Sequence, residues 1–170
     1  MRVENYSWQT VRKEDLVIIQ DLAKVVWPHT FGEILTADQI EYMLNWMYSI
    51  ESLESKFEEG HFFRLLYDDE QPIGFAHLEK EHPQADCYRV HKLYLLPNQQ
   101  GKGLGKLMLD FIEKEALKYG LSKVHLNVNR FNRSVQFYLK MGFEVIEEVN
   151  NDIGEGYLME DYVMLKAISR

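Results

Sequence analysis

The sequence predicts an α/β (α+β) fold, a mixed β-sheet with helices packed on its faces. Three observations predict it. Short apolar or alternating segments are interleaved with segments of helical spacing, in the order β-α-α-β-β-β-α-β-α-β-β. The 170 residues suit one domain spanning the whole chain, since single domains are typically about 100–150 residues long. The composition, 46% hydrophobic and 13% aromatic with 27% charged, is that of a chain able to bury a core.

Each element has its own signal. Residues near 4–11 alternate enough for a first strand. Leu16, Ile19, Leu22, Ala23 and Val26 share one face of a helix opened near Asp15. Trp27-Pro28 is expected to end it, because proline disfavours the helical conformation in the residue before it. Thr36 is an N-cap for a second helix carrying Ile40, Met43, Leu44, Met47 and Tyr48 at helical spacing. His61–Tyr67 and Ile73–Lys80 read as a strand pair around an Asp68–Pro72 turn, and Asp86–Leu96 as a third strand ended by Pro97. Leu104–Tyr119 is an amphipathic helix with Leu104, Leu107, Met108, Phe111, Ile112 and Glu115 on or near one stripe, and Gly120 stands where a terminal glycine belongs. Ser122–Val128 is a strand, Arg133–Lys140 a short helix, and two strands near 143–150 and 157–166 close the chain.

The formal net charge is -8, from 19 basic and 27 acidic side chains. That balance disfavours generic binding to nucleic acid or to an anionic membrane surface. One cysteine, Cys87, excludes a disulfide framework and a Cys-rich zinc site, and no metal is expected. No apolar run approaches the roughly 20 residues that span a bilayer, and residues 1–6 hold no signal-peptide core. The expectation is a cytoplasmic protein. The charge is unevenly placed: residues 98–140 carry 8 basic and 3 acidic side chains, whereas 1–60 and 141–170 are strongly acidic. A basic segment in an acidic chain is either a solvated helix face or an anion site.

The anion reading gains from what lies in that segment. Leu93-Tyr94-Leu95-Leu96-Pro97 leads into Gln100-Gly101-Lys102-Gly103-Leu104-Gly105-Lys106 as strand gives way to helix. Glycine lets backbone N–H groups approach a ligand, and a helix N-terminus adds unpaired donors and partial positive charge. The dinucleotide pattern G-x-G-x-x-G fails because Met108 fills its third slot, and the P-loop fails because no Gly-Lys-Ser/Thr closes the turn. The pattern that fits is Q/R-x-x-G-x-G/A. Together with Asn132-Arg133-Ser134-Val135-Gln136-Phe137-Tyr138-Leu139-Lys140-Met141-Gly142-Phe143 it resembles the GNAT superfamily of acyl-CoA-dependent N-acetyltransferases, most strongly over residues 72–145. Gly154–Tyr157 and Asp161–Met164 look like a closing hairpin found in part of this superfamily, and the segments Thr30–Glu33 and Gln39–Leu44 look like its polyamine and small-amine branch.

The resemblance implies a GNAT fold: a mixed sheet of six to seven strands, splayed between the fourth and fifth, with about four helices. It implies acetyl-CoA as co-substrate and direct attack by an amine in a ternary complex. Backbone groups from Gln100 to Lys106, thus Gln100, Gly101, Lys102, Gly103, Gly105 and Lys106, are expected on the pyrophosphate. Leu93 and Leu95 are expected on pantetheine, with an N–H near Leu95 on the acetyl carbonyl. Tyr138 matches the tyrosine that protonates the leaving thiolate. Asn132 either caps the short helix or contacts CoA, or does both. The base stays open among His77, Glu79, His91, His125 and water, since many relatives carry a Glu where Arg89 stands. Cys87 reads as a small apolar filler.

The family builds its acceptor pocket from the first two helices and the late hairpin, where Glu33, Asp38, Glu41, Asp152 and Glu155 would attract a cationic amine. A polyamine or other small primary amine is the first expectation. A peptide or protein N-terminal acetyltransferase is an alternative, favoured by an open groove along Tyr42, Trp46 and Tyr157. A non-catalytic acyl-CoA-binding domain is another. Dimerisation is common in the superfamily, and the aromatic-rich C-terminal strands offer a surface for a homodimer.

Overall fold

A computed structural model describes residues 2, 3 and 5–169. Of the expected first strand, Glu4 lies outside the described residues. The strands are β1 (Arg2–Val3), β2 (Tyr6–Thr10), β3 (Phe62–Asp68), β4 (Gln71–Lys80), β5 (Cys87–Leu95), β6 (Lys123–Asn129), β7 (Glu144–Asp152) and β8 (Leu158–Ala167). The helices are α1 (Leu16–Phe31), α2 (Ala37–Tyr48), α3 (Ile50–Glu58), α4 (Leu104–Lys118) and α5 (Ser134–Lys140). The sheet order is β1-β2-β3-β4-β5-β6-β8-β7. Every neighbouring pair is antiparallel except β5 and β6, which run parallel. Setting aside the two-residue β1, this is the mixed sheet of the sequence reading.

Strand alternation divides the core between the two faces of the sheet. Leu78, Val90, Leu126 and Val128 point to one face and pack with Met108, Ile112 and Val135 of α4 and α5. Phe63, Leu65 and Phe75 point to the other and pack with Ile19, Trp27, Met43 and Leu53 of α1, α2 and α3. A buried polar group joins strands to α4. The Arg64 guanidinium donates to both carboxylate oxygens of Glu115, and the Tyr88 hydroxyl donates to Glu115 Oε1 at 2.8 Å. This is why Glu115 sits on an otherwise apolar stripe.

Two expectations are corrected. Pro28 does not end α1, which continues to Phe31. Trp27 and Phe31 are both buried in that last turn, and Trp27 Nε1 donates to the Tyr48 hydroxyl at 2.9 Å. Burying two large rings is worth about 1.5–3 kcal/mol each, which offsets the roughly 3 kcal/mol cost of an interior proline. The second correction is α3, which the sequence reading left out. Ser49 ends α2 and caps α3 at once, its Oγ accepting from Ser52 N at 3.2 Å, so no loop marks the boundary. Other local signals hold: Thr36 Oγ1 accepts from Gln39 N at 3.2 Å, and Gly120 follows α4 at φ 76°.

The decisive feature for the site is where β5 and β6 part. They pair only over four positions, Cys87 with Lys123 through Val90 with Leu126. Beyond them β5 continues beside β4, pairing Leu93 with Ala76 and Leu95 with Gly74, while β6 continues beside β8 to Asn129. The divergence starts at an irregularity: His77 pairs with Lys92 but Leu78 with Val90, so His91 is an extra residue in β5. A bulge bends its strand and increases local twist. Breaking the buried polar group tests the packing account: Glu115→Ala strands the Arg64 charge and should lower the urea-unfolding free energy by about 3–5 kcal/mol.

Candidate active site

A cavity of about 1310 Å³ occupies the gap between β5 and β6. Its floor is Arg89–Leu95 of β5 and Leu126–Asn129 of β6. One end is the glycine turn and the start of α4, with Phe137 and Tyr138 of α5 beside it. The other end reaches the last turn of α1, Met43, Trp46 and Met47 of α2, and Asn151, Asp152, Ile153 and Met159 of the β7–β8 hairpin. Drug-sized ligand pockets run to roughly 300–1,000 Å³, so this one has room for two substrates.

The sequence-predicted residues are largely brought together here. Leu93, Leu95, Gln100, Gly101, Gly103, Gly105, Lys106, Asn132 and Tyr138 all line the cavity. Lys102 does not; its ammonium is turned to Gln99 Oε1 at 2.8 Å. Lys106 reaches Asp110 at 3.0 Å. Gly101 and Gly103 adopt φ 77° and 78°, which a side chain would strain, and Gly103 is the N-cap of α4. Leu107 N–H bonds Gly103 O at 3.2 Å. The N–H groups of Leu104, Gly105 and Lys106 precede it in the first turn, where helical N–H groups lack intrahelical acceptors. Gly105 has a second reason to be glycine: a Cβ would lie 3.2 Å from the Phe137 ring.

Asn132 Oδ1 accepts from Ser134 N at 2.9 Å, in the turn that leads into α5, whose N-cap residue is Arg133. Tyr138 is 8% exposed and wedged edge-on between Phe137 and Phe143. Burial raises its hydroxyl pKa above the ordinary phenol value, keeping it a proton donor.

The candidate bases separate. Only His91 lines the cavity. Its Nε2 lies 2.8 Å from Glu79 Oε2, and burial lowers its pKa to about 4 against the pull of that carboxylate. His77 is buried behind it, stacked on Phe63 at 4.4 Å, with its pKa far below normal through desolvation. His125 contacts Arg89, and burial with that cation lowers its pKa to about 4. Lys92 is enclosed, and desolvation brings its ammonium to about 8. Cys87 is buried, as a filler would be.

Sequence reasoning missed Asp161. It lines the cavity, is 7% exposed, and its Oδ1 has no hydrogen-bond partner in the protein. Asn127 Oδ1, on the neighbouring strand, is likewise unpartnered, as is Arg89 Nε. Desolvation raises the Asp161 carboxyl pKa, against a hydrogen bond from Asn127 and the Arg89 and Arg130 cations. The available signal was phase: Asp161 shares the inward side of β8 with Val163, an unusual place for a carboxylate. Of the acidic residues proposed for the pocket, only Glu33 and Asp152 line it; Asp38, Glu41 and Glu155 do not.

The sequence profile of the acetyltransferase (GNAT) family matches residues 19–143. The chain belongs to the GNAT acetyltransferase family. It is 30% identical over 145 residues to a spermidine N(1)-acetyltransferase of Thermoplasma acidophilum, covering 82% of this chain and 88% of that one. It is 26% identical to a [ribosomal protein bS18]-alanine N-acetyltransferase of Haemophilus influenzae, covering 69% of this chain and 77% of that one. The crystal structure of the PaiA N-acetyltransferase of Thermoplasma acidophilum in complex with coenzyme A aligns at TM-score 0.81 and 27% identity, over 97% of this chain and 100% of that one. The splayed sheet, the glycine turn and the α5 tyrosine of this GNAT enzyme therefore coincide in one cavity. No helix among the described residues is long and apolar enough to cross a membrane.

The buried imidazoles give a pH prediction. His91 and His125 titrate near 4 when folded and near the ordinary 6.5 when unfolded. As pH falls below about 6.5, the unfolded chain takes up protons that the folded one refuses. Stability should be fully present above that pH, decline down to about 4, and then level off for these groups. Thermal melts across the range check it, and replacing His125 with Gln should flatten the slope.

Proposed function

We propose that this enzyme transfers the acetyl group of acetyl-CoA to a primary amine of a small cationic acceptor, of polyamine type. The observation that carries this reading is Asp161: a buried carboxylate with a free oxygen, in the same cavity as Tyr138. Two unpartnered oxygens, Asp161 Oδ1 and Asn127 Oδ1, call for N–H donors. An ammonium supplies three donors and a charge that offsets burial of the carboxylate. The relative named as a spermidine N(1)-acetyltransferase agrees with an acceptor of this class.

The roles follow from position. The N–H groups at the start of α4, with Gln100, Gly101, Gly103, Gly105 and Lys106, would hold the pyrophosphate through dipole and hydrogen bonds. The edge of β5 over residues 92–95, which β6 leaves unpaired, would bond pantetheine as an added strand, with Leu93 and Leu95 as main-chain partners. Asn132 stands at that end of the cavity, where its amide would face the cofactor.

Asp161 would receive the acceptor as an ammonium and take its proton; the raised carboxyl pKa brings it closer to the working range of a base. The freed amine attacks the thioester carbon. The carbonyl becomes an oxyanion, which a backbone N–H near Leu95 would stabilise. As the intermediate collapses the C–S bond breaks, and Tyr138 gives its proton to the leaving thiolate sulfur. As the amide forms its nitrogen gives up its second proton to solvent, Asp161 releases the first, the tyrosine regains a proton from solvent, and the amide and CoA depart.

A peptide acceptor is less well accommodated. The Tyr42 hydroxyl donates to Ile153 O at 2.7 Å, and Gln39 Nε2 to Leu158 O at 3.1 Å, tying α2 to the hairpin. The Tyr42 ring lies tilted against Tyr157, centroids 5.4 Å apart, and neither ring lines the cavity. The groove that an extended chain would need is bridged at that point.

An acetyl-CoA turnover screen on spermidine, spermine and simple diamines, read by thiol release, tests the reading. Turnover on at least one of them is expected, and turnover confined to peptides would reject it. Tyr138→Phe should lower kcat by about 10²-fold or more with CoA affinity retained. Asp161→Asn should lower kcat/KM for the amine by about 10²-fold or more, with its pH dependence displaced.

A further inference from the structure

Three histidines that the sequence keeps far apart meet on one face of the sheet. His61 precedes β3, His77 lies in β4, and His91 is the bulged residue of β5. One ring nitrogen from each lies within 4.8 Å of the other two. We propose that His61, His77 and His91 form a binding site for a divalent late transition metal, with zinc the first choice, beside the acetyl-transfer cavity.

The donor set is suited to such an ion. Imidazole nitrogen ligates zinc at about 2.0–2.1 Å, and structural or regulatory sites are commonly tetrahedral. In that geometry neighbouring nitrogens stand about 3.3 Å apart. His61 Nδ1 and His77 Nε2 are 2.7 Å apart, so small ring shifts suffice to admit an ion between them. The rings are already gathered face to face: His77 and His91 stack at 4.6 Å, His61 and His91 at 5.4 Å, and His61 is tilted against His77 at 4.9 Å. Phe63 stacks on the far side of His77 and restrains it. Glu79 is at hand as a fourth ligand or as an orienting acceptor, with Oε2 2.8 Å from His91 Nε2 and Oε1 3.6 Å from His61 Nε2.

The surroundings balance the charge. Glu79 and Glu59 approach His61 at 3.6 and 3.8 Å. Lys92 is the opposing cation, 3.3 Å from His77 Nδ1, the ring nitrogen turned away from His61. Burial keeps all three imidazoles neutral near pH 7, so each carries one lone pair, and an ion would replace the hydrogen bond that now joins His61 Nδ1 and His77 Nε2. An ion here would grip His91, which forms both the bulge and a piece of the cavity wall. Occupancy would thereby reach the acceptor site without entering it.

The test is binding, read independently of acetyl transfer. Tag-free, metal-stripped full-length protein is titrated with zinc chloride by calorimetry, and with cobalt(II) by visible absorption. One ion per chain is expected, with the intense absorption of four-coordinate cobalt. His61→Asn and His91→Asn, both at partly exposed positions and checked for fold by circular dichroism, should each weaken zinc at least about tenfold. Lys92→Met, which removes the opposing charge, should tighten it. The double variant His29→Ala/His125→Ala, which alters two of the three histidines outside the cluster and leaves His82 beside it, should bind zinc as the unaltered protein does. Absence of stoichiometric binding, or equal binding after both His61 and His91 are replaced, overturns the proposal.

Discussion

The site depends on one failure of strand pairing. β5 and β6 share only four paired positions and then separate. Backbone groups in a sheet interior normally satisfy one another, so a parting of two central strands leaves a row of donors and acceptors in need of a partner. The chain maintains this arrangement by pairing each strand on its other side, β5 with β4 apart from the bulge at His91, and β6 with β8 throughout. Residual hydrogen-bonding capacity is therefore concentrated along one slot, and the helix α4 begins at the end of it.

The same constraint distributes the chemistry. The slot separates a basic end, at the glycine turn, from an acceptor end enclosed by α1, α2 and the β7–β8 hairpin. Parallel strands whose crossover helix starts at their carboxyl ends bring the α4 N-terminus to the mouth of the slot, the usual position for a phosphate-bearing ligand in such sheets. The residues argued to act on the acceptor side, Asp161 and Asn127, come from β8 and β6, whereas Tyr138 comes from the short helix between β6 and β7. Each is fixed by a rigid element packed on the sheet, which suits proton transfers that tolerate little displacement.

Much of this was legible in the sequence because it was local. The glycine turn, the Thr36 cap, the α4 stripe and Gly120 each carry their signal within a few residues. Tyr138 was found because a motif fixed its place in a helix. What the sequence concealed was long-range. The last turn of α1 survives Pro28 because Trp27 finds Tyr48 across a gap of 21 residues. Asp161 reaches the cavity because β8 inserts between β6 and β7, an order that no local pattern announces. The histidines at 61, 77 and 91 stand 16 and 14 residues apart, one just before β3 and the others in β4 and β5, with no metal-ligand spacing to link them in the sequence.

Backbone hydrogen exchange, with and without CoA, tests the central claim most directly. The account predicts that CoA slows exchange at residues 92–95 and at the first turn of α4, residues 104–107, and leaves the paired segment 87–90 unchanged. Tight CoA binding with no added protection at residues 92–95 would contradict it, because the slot between β5 and β6 would then not be where the cofactor lies.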